Sequence, residues 1–286
     1  MTDRKHAPKP DRRAALTPAR AAWLVAAALF IGALRLGHVR LGGTFAFAGG
    51  LASYWIARRR LQKEPDAFDL AIARTAERYA RAGKSRGTYY YVRGKLRGDP
   101  STQAVADLAP LGDVLDLGCG RGQLVVLLLE SRAANTVRGC DWDDEKVAIA
   151  NTAVEGLRGE FEMGDVRTAQ AEPADTVLLI DVLHYFDRDT QQALLTRAAE
   201  FVKPGGRLVL RDADTGRGWR SLITRIEEGF FTAIKFNRGE RVLFRDVAGE
   251  LVPLLEAQGM SCSVVPCWRG TPFSSVLLVA TRSAAA

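Results

Sequence analysis

From residue 113 onward, short apolar runs alternate with longer stretches whose apolar positions recur at helical spacing. The runs at 113–117 (DVLDL), 136–141 (TVRGCD), 159–163, 176–181 (TVLLID) and 207–211 (RLVLR) predict strands. The stretches between them predict helices from the glycine-rich turn to about 132, over 145–157 and over 188–201, with Pro204-Gly205-Gly206 as a turn. Five strands separated by helices predict an α/β fold with a doubly wound, mostly parallel sheet. The tail adds a helix over 245–258 and strands at 261–266 and 274–281, whose short connection predicts antiparallel pairing. Ahead of the sheet, Phe68, Leu70, Ile72, Ala73, Ala76 and Tyr79 predict an amphipathic helix over 65–83. A second helical stretch at 88–96 holds Tyr89, Tyr90 and Tyr91. Gly98-Asp99-Pro100 then stops and restarts the chain, with Ser101 as the cap of a helix through Leu108.

The first 63 residues follow a different pattern. Residues 1–20 are polar, basic and Pro-containing and read as disordered. Residues 21–34 form a fourteen-residue run without a charge, Arg35 and Arg40 interrupt, and residues 41–57 form a seventeen-residue run closed by Arg58-Arg59-Arg60. Each run is slightly short of the roughly 18–20 residues that cross a bilayer core, and flanking arginines can snorkel to make up the difference. Trp23, Tyr54 and Trp55 stand near the basic ends, where interfacial aromatics belong. Basic flanks on both sides predict a helical membrane hairpin over 21–63 with both ends cytoplasmic. A single span, an interfacial helix and a buried helix pair are the alternatives. Export is disfavoured, because the Ala46-Phe47-Ala48 cleavage-like triplet lies too far from the first apolar run.

Charge sharpens this division. Residues 1–63 carry twelve basic side chains against Asp3 and Asp11, a net +10, and the remaining residues carry 28 basic against 31 acidic, a net −3. The excess of +7 therefore belongs to the extension, and the acidic body argues against nucleic acid as a partner. Cys119, Cys140, Cys262 and Cys267 form no C-x-x-C pair and no disulfide framework. With three histidines in the chain, no metal site is expected and a reducing compartment is the default.

The chemistry concentrates at strand ends. The first strand runs into Gly118-Cys119-Gly120-Arg121-Gly122, a turn whose glycines let backbone approach a ligand. The dinucleotide fingerprint fails, because Gln123 occupies the third glycine position. Asp116, two places before the first glycine, would repel a phosphate but suits an ammonium group. The second strand ends in Asp141, where a carboxylate can accept both hydroxyls of a ribose, and Trp142 beside it can lie on an adenine face. Gly164-Asp165-Val166 places another carboxylate where an adenine amino group could donate. Together these positions describe one crevice at the carboxyl ends of successive strands.

VLDLGCGRG at 114–122, Asp141, GDV at 164–166, IDVLHYF at 180–186 and VKPGGRLVL at 202–210 resemble the successive motifs of class I S-adenosylmethionine-dependent methyltransferases. The resemblance covers 110–211 and extends toward 282. It implies a seven-stranded Rossmann-like sheet with its last strand antiparallel, and S-adenosyl-L-methionine as cosubstrate. On the matching positions it implies that Asp116, Gly118, Cys119, Gly120 and Gly122 hold the methionine part and that Asp141 holds the ribose. Asp165 and Val166 then face the adenine, and Asp181 lies beneath the sulfonium. His184, the only histidine after residue 63, is the candidate general base, with a packing or cosubstrate contact as its other reading. Tyr185, Asp212 and Asp214 are further candidates at the same sheet edge.

The Pro-Pro-aromatic signature of nucleic-acid amino-methylating relatives is missing after strand four, and Pro266-Cys267 lies far from the position that cytosine-methylating relatives use, so Cys267 reads as core. Residues 216–244 interrupt the fold. Trp219, Leu222, Ile223, Ile226, Phe230 and Ile234 recur there at three- and four-residue spacing, as in a lid helix, an apolar substrate wall or a membrane-facing surface. YVRGKLRGDP at 91–100 and TPFSSVLLVA at 271–280 also resemble the small methyltransferases of aryl-polyene and fatty-acid-like biosynthesis. The expected organisation is a basic tail (1–20), a membrane hairpin (21–63), a helical cap (64–110) and a catalytic domain (111–286). The expected activity is methylation of a lipophilic small molecule, at oxygen, on the cytoplasmic membrane. A noncatalytic binding scaffold and a lipid or quinone C- or N-methyltransferase are the alternatives, and oligomeric state is left open.

Overall fold

The computed structural model describes residues 66–216, 243–268 and 274–284. Residues 64–286 form one compact unit and residues 1–63 another. The two uncharged runs and the insert between 217 and 242 lie outside the described residues. Among the described residues no helix is long and apolar enough to cross a membrane.

Three helices open the body: α1 (Ala67–Ala82), α2 (Arg86–Gly98) and α3 (Pro100–Ala106). Asp66 caps α1 by accepting from the Asp69 N–H, and Ser85 caps α2 through Gly87 N–H. The cap of α3 is Asp99 rather than Ser101. The Asp99 carboxylate accepts from both the backbone N–H and the hydroxyl of Ser101, and Pro100 takes the first helical position, where its missing N–H costs nothing.

The α/β series follows as β1 (Asp113–Leu117), α4 (Gln123–Glu130), β2 (Thr136–Asp141), α5 (Asp144–Val154), β3 (Gly159–Met163), β4 (Ala174–Ile180), a 3-10 turn (Leu183–Tyr185), α6 (Arg188–Glu200) and β5 (Val202–Ala213). After the insert come a π turn (Val247–Leu251), α7 (Val252–Glu256), β6 (Met260–Pro266) and β7 (Ser275–Arg282). The single helix expected over 245–258 is divided, because Pro253 has no N–H to donate and crowds the carbonyl four residues before it. Pro204-Gly205-Gly206 does not end an element. It forms an irregularity inside β5, between the pairs Ala174–Val202 and Thr176–Arg207, and Gly205 takes φ +78° there.

The strands lie in the order β3-β2-β1-β4-β5-β7-β6, seven in all, with β7 antiparallel to both neighbours as expected. Successive side chains of one strand point to opposite faces, so β4 sends Leu178 into one apolar cluster and Val177 and Leu179 into the other. The first cluster includes Ile72, Tyr79, Val92 and Leu127 from α1, α2 and α4, and Cys267 is buried within it. The second is closed by Leu194 and Leu195 of α6 and Leu255 of α7. Burial on both faces explains why the central strands read as continuous apolar runs. Chain order reverses between β1 and β4, which opens a crevice at the carboxyl ends of these strands.

Candidate active site

The glycine loop joins β1 to α4 and is held from two sides. From β2, the Cys140 carbonyl accepts from the N–H groups of Gly118 and Cys119, and the Asp141 carboxylate accepts from Gly120 N–H at 2.8 Å. From the helical cap, the hydroxyl of Tyr79 donates to the Arg121 carbonyl at 2.5 Å. The three glycines all have positive φ but serve different ends. A Cβ on Gly118 would sit 2.5 Å from Val182, and one on Gly122 2.9 Å from Phe161, so these two permit close packing. A Cβ on Gly120 would meet only the Asp141 carboxylate, at 4.0 Å, and would otherwise project into open space where a ligand can approach.

Tyr79 is fully buried on α1, and burial pushes its phenol well above the ordinary range, so it stays a neutral donor. Sequence periodicity marks it as a core position and gives no sign of its hydroxyl's partner. Tyr79→Phe is expected to leave the fold intact and to weaken S-adenosylhomocysteine binding by about 5- to 10-fold, the worth of one hydrogen bond that fixes the loop. Calorimetry on the variant checks this, and an unchanged affinity would leave Tyr79 a packing residue only.

Asp116 and Asp141 end adjacent strands. Asp141 is satisfied by backbone, since Asp143 N–H also donates to it, at 3.1 Å. Asp116 is 5 % exposed and, among the described residues, has no hydrogen-bonding or ion-pairing partner. Burial first, and the charge of Asp141 second, push its carboxyl up to about 7. A buried carboxylate without a donor beside an open glycine backbone is incomplete by itself and fits a cationic amino group. Trp142, next to Asp141, stands 64 % exposed with Lys146 5.6 Å from its ring centre. Burial pushes the Cys119 thiol up as well, which makes it a poor nucleophile.

Three predicted cosubstrate positions remain, and the two carboxylates among them carry partners that sequence does not reveal. The Asp165 carboxylate is forked by Arg167, with contacts at 2.9 and 2.5 Å, and this pairing holds it below the usual carboxylate range. Val166 is buried in the second core cluster with Leu117 and Cys140. Asp181 adopts φ +57°, uncommon for a residue with a Cβ, and its carboxylate pairs with Arg211 Nη1. Register sets this pairing, because Ile180 lies opposite Arg211 in β5. Arg211 also stands 3.7 Å from Asp99 and donates to the Ser275 hydroxyl.

Next to Asp181 lies a histidine–carboxylate pair. His184 Nδ1 is 2.8 Å from Asp212 Oδ1, and both residues are buried. An ionised carboxylate only accepts, so this contact places the imidazole proton on Nδ1 and leaves Nε2 as the basic nitrogen. Tyr185 and Phe244 pack their rings against His184, at 4.4 and 5.2 Å between centres. The fully buried Gln191 donates to the carbonyls of Phe186 and Leu243, and Leu243 N–H donates to the His184 carbonyl. Asp214 does not join this pair. Its carboxylate accepts from Gly216 and Val247 N–H and fixes the two ends of the insert.

The profile of a family described as a methyltransferase domain matches residues 114–206, from β1 into the irregularity of β5. The chain carries a class I S-adenosylmethionine-dependent methyltransferase domain. This methyltransferase domain is similar to two curated proteins. One is the trans-aconitate 2-methyltransferase of Rhizobium meliloti, 33% identical over 110 residues that make 38% of this chain and 41% of that protein. The other is the carboxy-S-adenosyl-L-methionine synthase of Colwellia psychrerythraea, 28% identical over 106 residues, 35% of this chain and 43% of that protein. The chain thus spans about two fifths of the length of the curated relatives it matches. Among solved structures, an O-methyltransferase family protein from Burkholderia thailandensis shares the fold with a TM-score of 0.54 and 24% identity, over 73% of this chain and 63% of that one. The methyltransferase domain's matched segment contains Asp116, the glycine loop, Asp141 and His184. Tyr79, Asp99 and Asp212 lie outside it.

Proposed function

We propose that this chain methylates a hydroxyl oxygen of a lipophilic small molecule, at the cytoplasmic face of a membrane to which residues 21–63 tether it. The observation that carries the reading is the 2.8 Å contact between His184 and Asp212 beside Asp181. When bound, S-adenosylmethionine supplies an electrophilic methyl group on a positively charged sulfur. Asp116 would receive the amino group, Asp141 with Trp142 the ribose and adenine, and Gly118, Cys119, Gly120 and Gly122 would wall the methionine part. Asp165 and Val166 border the adenine side. Asp181, paired with Arg211, would stand on the sulfonium side of the site. His184 Nε2 takes the proton from the acceptor hydroxyl, and Asp212 stabilises the imidazolium that forms. Tyr185 borders the same space. The acidic crevice also favours a cationic cosubstrate over a phosphate-rich ligand.

Lipophilicity and tethering are supported by the two uncharged runs inside the basic first 63 residues and by the apolar spacing of the insert. Transfer of a tritiated methyl group to an extract of membranes tests the activity. Label in a product that resists mild base, and that is lost in His184→Ala, is expected. Label in protein or nucleic acid, or none, would overturn the substrate reading. Full-length protein is expected to stay in the membrane pellet through a high-salt wash, because apolar insertion is not screened as surface charge is. Release by salt alone would replace the hairpin with peripheral attachment.

A further inference from the structure

The geometry points to the outer face of α2 as a docking surface for anionic lipid, which seats the mouth of the crevice on the bilayer. This inference rests on the membrane reading proposed above. Although the body is net acidic, α2 carries Arg86, Arg93, Lys95 and Arg97 and no acidic residue. Two of these charges are already paired, Arg97 with Asp69 at 2.6 Å and Arg86 with Glu77 at 3.2 Å. Arg93 and Lys95 have no carboxylate partner among the described residues.

Val92 and Leu96 turn one side of α2 into the core. On the other side Tyr90 and Tyr91 are 65 % and 56 % exposed, among the most exposed large side chains of the described residues. A tyrosine pair beside cations that no carboxylate neutralises matches the bilayer interface, where phenol rings sit at headgroup depth and basic groups meet anionic lipid. Gly94 and Gly98 have nothing within 4 Å of where a Cβ would lie, so internal packing does not require them. Glycine weakens a helix, and here it leaves the backbone low against any flat surface.

The position of α2 gives the face its use. The Arg97–Asp69 pair holds the end of α2 beside the start of α1, where the chain arrives from residues 1–63. Asp99, directly after α2, lies 3.7 Å from Arg211 at the rim that holds Asp181. One end of α2 therefore lies beside the crevice.

Photo-crosslinking of the full chain tests this, with p-benzoylphenylalanine in place of Tyr91 and phosphatidylcholine vesicles with or without phosphatidylglycerol. Lipid adducts are expected in the anionic vesicles, reduced roughly tenfold in neutral vesicles or in Arg93→Ser/Lys95→Ser. Absence of adducts in a chain that pellets with the vesicles, adducts indifferent to lipid charge, or adducts to a second copy of the chain would each overturn α2 docking and leave the tether standing. Charge-dependent adducts on vesicles from which salt frees the chain would keep α2 docking and remove the inserted hairpin.

Discussion

Asp116→Asn is expected to stabilise the empty protein at pH 8 by roughly 1–3 kcal/mol and to abolish the stabilisation that S-adenosylhomocysteine confers. The opposite signs have one cause. Asp116 is buried with no donor, and burial together with the charge of Asp141 raises its carboxyl to about 7 in the fold. The unfolded value is about 3.9, so between pH 4 and 7 the folded state binds the extra proton. Stability contributed by this group is therefore greatest at low pH and falls as pH rises toward 7, by about 4 kcal/mol in full. Asparagine removes that dependence but buries an amide without partners, which takes back about 1–3 kcal/mol. The amino group of the cosubstrate is the missing partner, and only the ionised carboxylate pairs with it. Wild-type affinity should accordingly fall about tenfold from pH 8 to pH 6, and the variant should bind weakly at both. Denaturant melts and calorimetry at the two pH values check both statements. An unchanged pH dependence of stability in the variant would show that Asp116 is solvated, and unchanged binding would take it out of the site.

Loss of the imidazole should be the largest effect on turnover. His184→Ala is expected to lower kcat by roughly 10²–10⁴ while S-adenosylhomocysteine affinity stays within about twofold. Its pH–rate profile should lose the acidic limb that protonation of Nε2 imposes on the wild type. Asp212→Asn should retain the ring but not the fixed proton on Nδ1, and should lower kcat more than KM changes. Steady-state kinetics across pH distinguishes these outcomes from the packing role. A parallel collapse of cosubstrate binding in both variants would make the pair a wall of the crevice rather than a base and its positioning residue.

The glycine loop and the carboxylates at strand ends were legible because each is a local pattern. The turn after β1 needs residues that reach positive φ, and an acidic residue ending an apolar run stands at the strand's carboxyl end whatever the rest of the chain does. Strand positions came from short apolar runs, helix positions from a period of 3.6 residues, and the antiparallel β7 from a short connection. The reversal of chain order between β1 and β4, which makes the crevice, came from the fold, because alternating strands and helices do not by themselves say which strands lie side by side.

What only the tertiary structure decided are pairings between distant residues. Asp212 reaches His184 across 28 positions because β5 lies beside β4 in one register, and a slip of one residue would turn its side chain to the other face. The same register sets Arg211 against Asp181. Tyr79 finds the Arg121 carbonyl only because α1 packs on the sheet face that carries α4. Whether a strand-end carboxylate remains available also depends on its surroundings. Asp165 has Arg167 two residues away, Asp141 is met by loop amides, and Asp116 alone of the three is buried with no donor from the described residues. Periodicity fixes which side of an element a residue occupies, but burial and charge pairing are sums over neighbours that folding alone assembles.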